Sequence, residues 1–168
     1  MPGPVLLYLV RHGVAEERGP VYPDDDLRPL TAEGLQRSRE VGEGLRAIGA
    51  EIQEILTSPA TRCRQTAAAI ARAWSPAPQV TDLPALAVDG RVSGVLEDLA
   101  RFARRPELAL VGHAPDIGQL AARLIGARLP LEFKKGAVCC IEVEALPASR
   151  GTLRWFLPPR LLRELGKA

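Results

Sequence analysis

The sequence predicts an α/β fold, a three-layer sandwich whose mostly parallel central sheet has helices on both faces and a C-terminal antiparallel hairpin. Three observations predict it. Residues 5–10 and 108–112 are continuous apolar runs, as expected of strands buried on both faces. Segments with helical spacing of apolar residues alternate with such runs and no internal repeat appears, which is the order of a parallel sheet with helical crossovers. Near the end the period changes to two. Cys139, Ile141 and Val143 alternate with Glu142 and Glu144, and Leu153, Trp155 and Leu157 alternate with Arg154, with Gly151 in the turn between them.

Residues 5–10 make the first strand. The stretch 11–30 carries Gly13, Gly19, Pro20, Pro23 and three consecutive aspartates, and reads as a long irregular loop of the kind that serves function. Thr31 is a natural N-cap, Glu33 suits the first turn, and Leu35, Val41, Leu45 and Ile48 share one helical face that Gly49 closes. A strand at 52–57 leads to Ser58-Pro59, read as a helix opening with serine as the cap and proline in first position. That helix is expected to run to about residue 74, where Ser75-Pro76-Ala77-Pro78 breaks it. Residues 79–83 follow as a short strand and 84–91 as a loop. Val92, Val95, Leu96, Leu99 and Phe102 mark the next amphipathic helix, and after the strand ending at Gly112 another helix is set out by Pro115, Ile117, Leu120 and Leu124.

With 168 residues the chain is expected to form a single domain over 1–168, long enough for a full core. Its 46% hydrophobic and 25% charged residues are those of a globular protein. A net charge of +2, evenly spread, gives no concentrated basic face, so nucleic acid is not an expected partner. No run approaches the roughly 20 apolar residues of a membrane span. Met1-Pro2-Gly3-Pro4 has no basic leader and the apolar stretch behind it stops at Arg11, which points to a cytoplasmic protein. Cys63, Cys139 and Cys140 are an odd set, two of them neighbours, and are expected as reduced thiols.

Chemistry concentrates at strand ends. Arg11-His12-Gly13 follows the first strand, Gly112-His113 follows a later one, and the chain has no other histidine. Ligands of open α/β sheets sit beyond the carboxyl ends of the strands. Parallel strands therefore bring Arg11, His12, Arg62 from the helix after Ser58-Pro59, and His113 to one edge. Two guanidinium groups, two imidazoles and helix N-termini there suit a single anion. An imidazole can attack phosphorus while guanidinium neutralises the phosphoryl oxygens.

Other chemistries lack their parts. A cysteine phosphatase needs arginine six positions after its nucleophile, and Ala69, Ala145 and Leu146 stand there. The chain has no Walker A loop and no His-Glu-x-x-His helix, and in Gly42-Glu43-Gly44 a dinucleotide fingerprint fails at Ala47. Two histidines without paired cysteines make no zinc site, so neither metal nor cofactor is expected.

The ordered elements Leu9-Val10-Arg11-His12-Gly13, Arg28-Pro29-Leu30-Thr31 with Gly34, Ser58-Pro59-Ala60-Thr61-Arg62 with Gln65-Thr66, and Val111-Gly112-His113 resemble the histidine phosphatase superfamily, the fold of cofactor-dependent phosphoglycerate mutases. Size and the Arg-Pro-Leu-Thr spacing are similar to SixA-type phosphohistidine phosphatases. The resemblance implies His12 as the nucleophile, Arg11, Arg62 and His113 as ligands of the phosphoryl oxygens, and Gly13 as backbone brought close to them. It also implies a general acid. The stretch 83–88, where many relatives carry a glutamate, has none; Asp82 and Asp89 are near, and Asp25 or Asp26 of the long loop lies where SixA-type proteins have an acidic residue.

Imidazole leaving a phosphoramidate needs less protonation than an alkoxide leaving an ester, so an uncertain acid suits phosphohistidine on a protein, such as a signalling phosphotransfer domain. A small phosphomonoester, a phosphoryl-transferring mutase, or a phosphate-binding module without turnover are the alternatives. Lys134 and Lys135 are candidates for a rim that meets an acidic partner surface, and Arg64 for an ordinary solvated or salt-bridged arginine. The sequence leaves oligomeric state open.

Overall fold

A computed structural model describes residues 3–168. Six strands form one sheet, β1 (Val5–Arg11), β2 (Glu54–Thr57), β3 (Gln79–Asp82), β4 (Glu107–Gly112), β5 (Val138–Val143) and β6 (Thr152–Leu157), in the spatial order β3-β2-β4-β1-β5-β6. The first four in that order are parallel, and β5 and β6 join antiparallel to their neighbours. Five α-helices, α1 (Ala32–Ala47), α2 (Thr61–Ala71), α3 (Val92–Asp98), α4 (Asp116–Ile125) and α5 (Pro159–Gly166), complete the expected α/β sandwich.

The continuous apolar character of β1 follows from its place. It pairs with β4 on one side and β5 on the other, Leu7 standing between Leu108 and Ile141. Alternation along the strands then divides the core. Leu7, Leu9, Leu108, Leu110, Cys139 and Ile141 pack under α3 and α4, whereas Tyr8, Val10, Ala109, Val111, Val138 and Cys140 pack under α1, α2 and α5. Both layers bury strand residues almost completely, which fixes the register and hence the height at which β1 and β4 release Arg11, His12 and His113.

Several elements differ from expectation. α2 begins at Thr61 behind an Ala60 N-cap that makes no side-chain hydrogen bond, and it ends at Ala71. Ser58 and Pro59 precede it because the Ser58 hydroxyl is drawn to His113. The expected helix over 92–102 divides into α3 and a 3-10 turn over Leu99–Phe102, and the 84–91 loop opens with a 3-10 turn over Pro84–Leu86. α5 was not anticipated. Its opening Pro158-Pro159 suits a helix start, but its eight residues expose only a short periodic pattern. Packing decides it: Leu162 is buried against α1, where Gly44 is so close that a Cβ would stand 1.9 Å from the Leu162 carbonyl oxygen.

Thr31 does cap α1, accepting from the Gly34 amide at 2.9 Å. The 11–30 loop is closed at its neck by an antiparallel bridge of Ala15 with Leu30 and holds a 3-10 turn over Asp25–Leu27. Among the described residues no helix is long and apolar enough to cross a membrane, and all three cysteines are buried free thiols.

Candidate active site

Arg11 is the last residue of β1 and His12 the first beyond it, and the His12 amide donates to the Gly112 carbonyl at 3.0 Å, which locks the ends of β1 and β4 together. The His12 ring is 6% exposed. Its Nδ1 lies 2.7 Å from the Gly13 carbonyl oxygen. A carbonyl only accepts, so Nδ1 carries the hydrogen and the lone pair is left on Nε2. Burial is the main reason that its pKa falls to about 3, with His113, Arg62 and Arg11 adding to it against the opposing Gly13 bond. The imidazole is therefore neutral at physiological pH.

His113, 4% exposed, leaves the end of β4 with its ring centroid 5.5 Å from that of His12. Arg62 Nη2 stands 3.3 Å from His113 Nδ1, and the Ser58 hydroxyl 2.8 Å from Nε2. Guanidinium only donates, so Nδ1 accepts from Arg62 and Nε2–H donates to Ser58. Burial first, then Arg62, lowers the His113 pKa to about 4.

Arg62 is 1% exposed in the first turn of α2. Nη1 donates to the Asp25 carbonyl at 2.8 Å, Nη2 lies 3.1 Å from the Asp25 carboxylate, and its Nε is buried without a partner. Asp25 also accepts from Arg28 Nε at 2.8 Å, and that bond chiefly holds its carboxyl below the ordinary range. Arg28 Nη1 in turn donates to the Glu16 carbonyl at 2.8 Å. Arg18 Nε lies 3.7 Å from the same carboxylate, so Asp25 faces three arginines, and the Arg18 pair and the Arg28 bond to Glu16 join the two limbs of the long loop. Arg11 donates through Nη1 to the Phe133 carbonyl at 2.7 Å, its Nε has no partner, and burial lowers its pKa.

Gly13 packs behind these groups. Its amide donates to Thr66 Oγ1 at 3.0 Å, and a Cβ on it would meet Ser38 Oγ at 2.7 Å. The Gly13 amide is thereby engaged inside the fold, and its carbonyl is what holds His12. Asp26 is exposed with its amide turned to Asp24. Arg64 pairs with Asp82 on the exterior, its Nε 3.0 Å from Oδ1.

Arg11, His12, Arg62 and His113 open onto one cavity of about 370 Å³, shared with Ala15, Glu16, Glu17, Arg18, Arg28, Val88, Ala114 and Lys135. Five basic side chains against two acidic ones make it an anion site. Lys135 reaches its wall; Lys134 is outside the lining. Arg28 and Ser58 were already visible in the motifs Arg28-Pro29-Leu30-Thr31 and Ser58-Pro59, but nothing local marked the first as part of the Arg62 bracket or the second as the partner of His113. Glu16, Glu17 and Arg18 carried no sequence signal at all. Among the described residues no group of three or more His, Cys, Asp or Glu side chains is placed to hold a metal ion.

The model of the histidine phosphatase superfamily, branch 1, matches residues 7–87. An uncharacterized protein of Picosynechococcus sp. is 42% identical over 118 residues, which span 68% of this chain and 70% of that relative. This chain belongs to the histidine phosphatase superfamily. Within the superfamily, phosphohistidine phosphatase SixA of Escherichia coli K12 is 26% identical over 155 residues, 91% of this chain and 93% of SixA. The structure of the protein histidine phosphatase SixA complexed with tungstate superposes with a TM-score of 0.84 at 26% identity, over 94% of this chain and 99% of that one. Phosphoglycerate mutase from Bacillus anthracis, at 12% identity and a TM-score of 0.75, shares the fold. Membership of the histidine phosphatase superfamily, with a SixA relative along nearly the whole chain, supports phosphatase chemistry.

Proposed function

We propose that this protein is a phosphatase working without a metal through a phosphohistidine intermediate on His12, and that its substrate is phosphohistidine on a protein. The observation that carries the reading is the neutral His12 imidazole, buried, with Nδ1–H fixed on the Gly13 carbonyl and Nε2 free toward a cavity lined by Arg11, Arg62 and His113. Nε2 attacks phosphorus in line with the departing group. Charge on the three equatorial oxygens is met by guanidinium donors already in place, so little reorganisation is needed. The Nε2–P bond forms as the bond to the leaving atom breaks. Water then attacks phosphorus, the Nε2–P bond breaks, and phosphate departs.

His113 contributes by gaining a proton. Its Nδ1 accepts from Arg62, so donation to a phosphoryl oxygen requires a hydrogen on that nitrogen. A dianion beside the ring supplies the attraction for it. Asp25, ionised and bound to Arg62 and Arg28, positions Arg62, and neither it nor the outward Asp26 is assigned the proton transfer. The SixA relative, covered along nearly its full length, supports a protein phosphohistidine such as that of a signalling phosphotransfer domain. Buried free thiols support a reducing, cytoplasmic setting for a single domain over 1–168. A second reading, a small phosphomonoester, rests on a cavity with room for a small organophosphate.

Incubation with a phosphohistidine-bearing domain and with simple phosphate esters, comparing kcat/KM, tests the substrate. The domain is expected to exceed esters widely, with an acid-labile, base-stable phosphoryl group trapped on His12 and lost in His12→Ala. Faster ester turnover overturns the protein substrate; phosphate binding without any turnover or trapped group leaves a binding module; full activity in His12→Ala removes the mechanism.

A further inference from the structure

Two carboxylates face the cavity from a place the sequence did not mark. Glu16 and Glu17 lie just past the Ala15–Leu30 bridge, on the limb that leaves His12 and forms a wall of the same cavity. Their backbone is held: the Glu16 amide donates to the Pro29 carbonyl at 2.9 Å and its carbonyl accepts from Arg28. Their side chains, by contrast, have no hydrogen-bond or ion-pair partner among the described residues, although Arg18, Arg28 and Lys135 share the wall. The other carboxylates that the sequence offered are engaged or outside: Asp25 with Arg62, Arg28 and Arg18, Asp82 with Arg64, and Asp26 and Asp89 exposed and absent from the lining. Of the four groups at the centre, Arg11 and Arg62 keep their protons, His12 is the nucleophile, and the proton that His113 gains is engaged on a phosphoryl oxygen. None of them is left to serve the departing oxygen and then the attacking water.

We infer that the Glu16-Glu17 pair supplies the leaving-group acid and water-activating base of this site, which rests on the phosphatase reading above. In the first step the carboxyl O–H proton goes to the leaving atom as its bond to phosphorus breaks and the His12 Nε2–P bond forms. In the second the resulting carboxylate takes a proton from the attacking water, the new O–P bond forms, Nε2–P breaks and the carboxyl is restored. The place of this pair on the 11–30 loop also bears on the substrate class. Both glutamates are exposed at the mouth, so the leaving group they serve projects outward. A group borne on the surface of a larger molecule fits that direction without being swallowed.

The test is the dependence of kcat/KM on leaving-group basicity, since that constant reports only the steps through leaving-group departure. Glu16→Gln, Glu17→Gln and the double variant are compared with wild type on 4-nitrophenyl, phenyl and alkyl phosphates. The double variant is expected to lose roughly 100-fold or more on the alkyl ester and only a few-fold on the 4-nitrophenyl ester, in the range of a general acid's contribution. With 4-nitrophenyl phosphate it shows a burst of nitrophenolate as phospho-His12 accumulates. The single variants assign the role to one side chain. An unchanged ratio between alkyl and aryl esters in the double variant, with an active wild type, overturns this inference alone. A wild type with no turnover and no phosphoryl-His12 overturns the phosphatase reading and this one with it.

Discussion

The two histidines share a depressed pKa but not a hydrogen-bonding state, and the difference lies in their partners. The carbonyl of Gly13 fixes His12 as an Nδ1–H tautomer, whereas Arg62 and Ser58 fix His113 with its hydrogen on Nε2. If an anion recruits a proton onto His113, binding of tungstate or phosphate takes up protons near neutral pH. Calorimetry in buffers of different ionisation enthalpy is expected to show uptake approaching one proton per anion, and His113→Gln to abolish it. Affinity then rises as pH falls below the raised pKa of the complex and levels off near the free value of about 4. Arg62→Ala removes two donors beside that ring and is expected to lower kcat/KM by roughly 100- to 1000-fold, with steady-state kinetics as the check. These residue types and their neighbours were legible in the sequence as a motif. Which nitrogen His113 offers was not, because the deciding partners, Ser58 and Arg62, lie 55 and 51 positions from it.

At the scale of elements, the long loop is held by Asp25 and by a close approach of α1. Asp25→Asn keeps the shape and removes the charge that faces Arg62 and Arg28, at a cost of about 1–2 kcal/mol for charge-assisted bonds. A drop of about tenfold in kcat/KM, with faster proteolysis within 16–28, is the expected result; unaltered kinetics would show that Arg62 positions itself. Gly34 stands where a Cβ would lie 2.0 Å from the Val14 carbonyl oxygen. Gly34→Ala therefore pushes α1 from the segment behind His12, and overpacking of about 1–3 kcal/mol is expected as a lower Tm together with reduced activity. The central strands, α1 and the hairpin were readable because their periods are local. The start of α2 and the whole of α5 were not: Ser58 is claimed by a histidine distant in sequence, and α5 is short enough that burial of Leu162 on α1, rather than its own periodicity, determines it.

For the molecule as a whole, the site sets a pH dependence of stability. Unfolding returns both imidazoles to about 6.5, whereas folding holds them near 3 and 4. Between those limits the unfolded chain binds more protons, so stability is full above about 6.5 and falls as pH drops through the window. In phosphate-free buffer Tm is expected to decline from pH 7 to pH 4.5, and less steeply in the double variant His12→Gln, His113→Gln; equal slopes would remove these two rings as the cause. The same burial that costs stability in acid keeps the nucleophile neutral at work. The α/β class, the order of elements and the edge at which Arg11, His12, Arg62 and His113 gather were legible in the chain alone, because strand and helix periods are local and parallel strands share one carboxyl edge. Folding alone settled the tautomer of His113, the reach of Asp25 to Arg62 and the arrival of Glu16 and Glu17 at the cavity, because each depends on segments that are far apart in the chain.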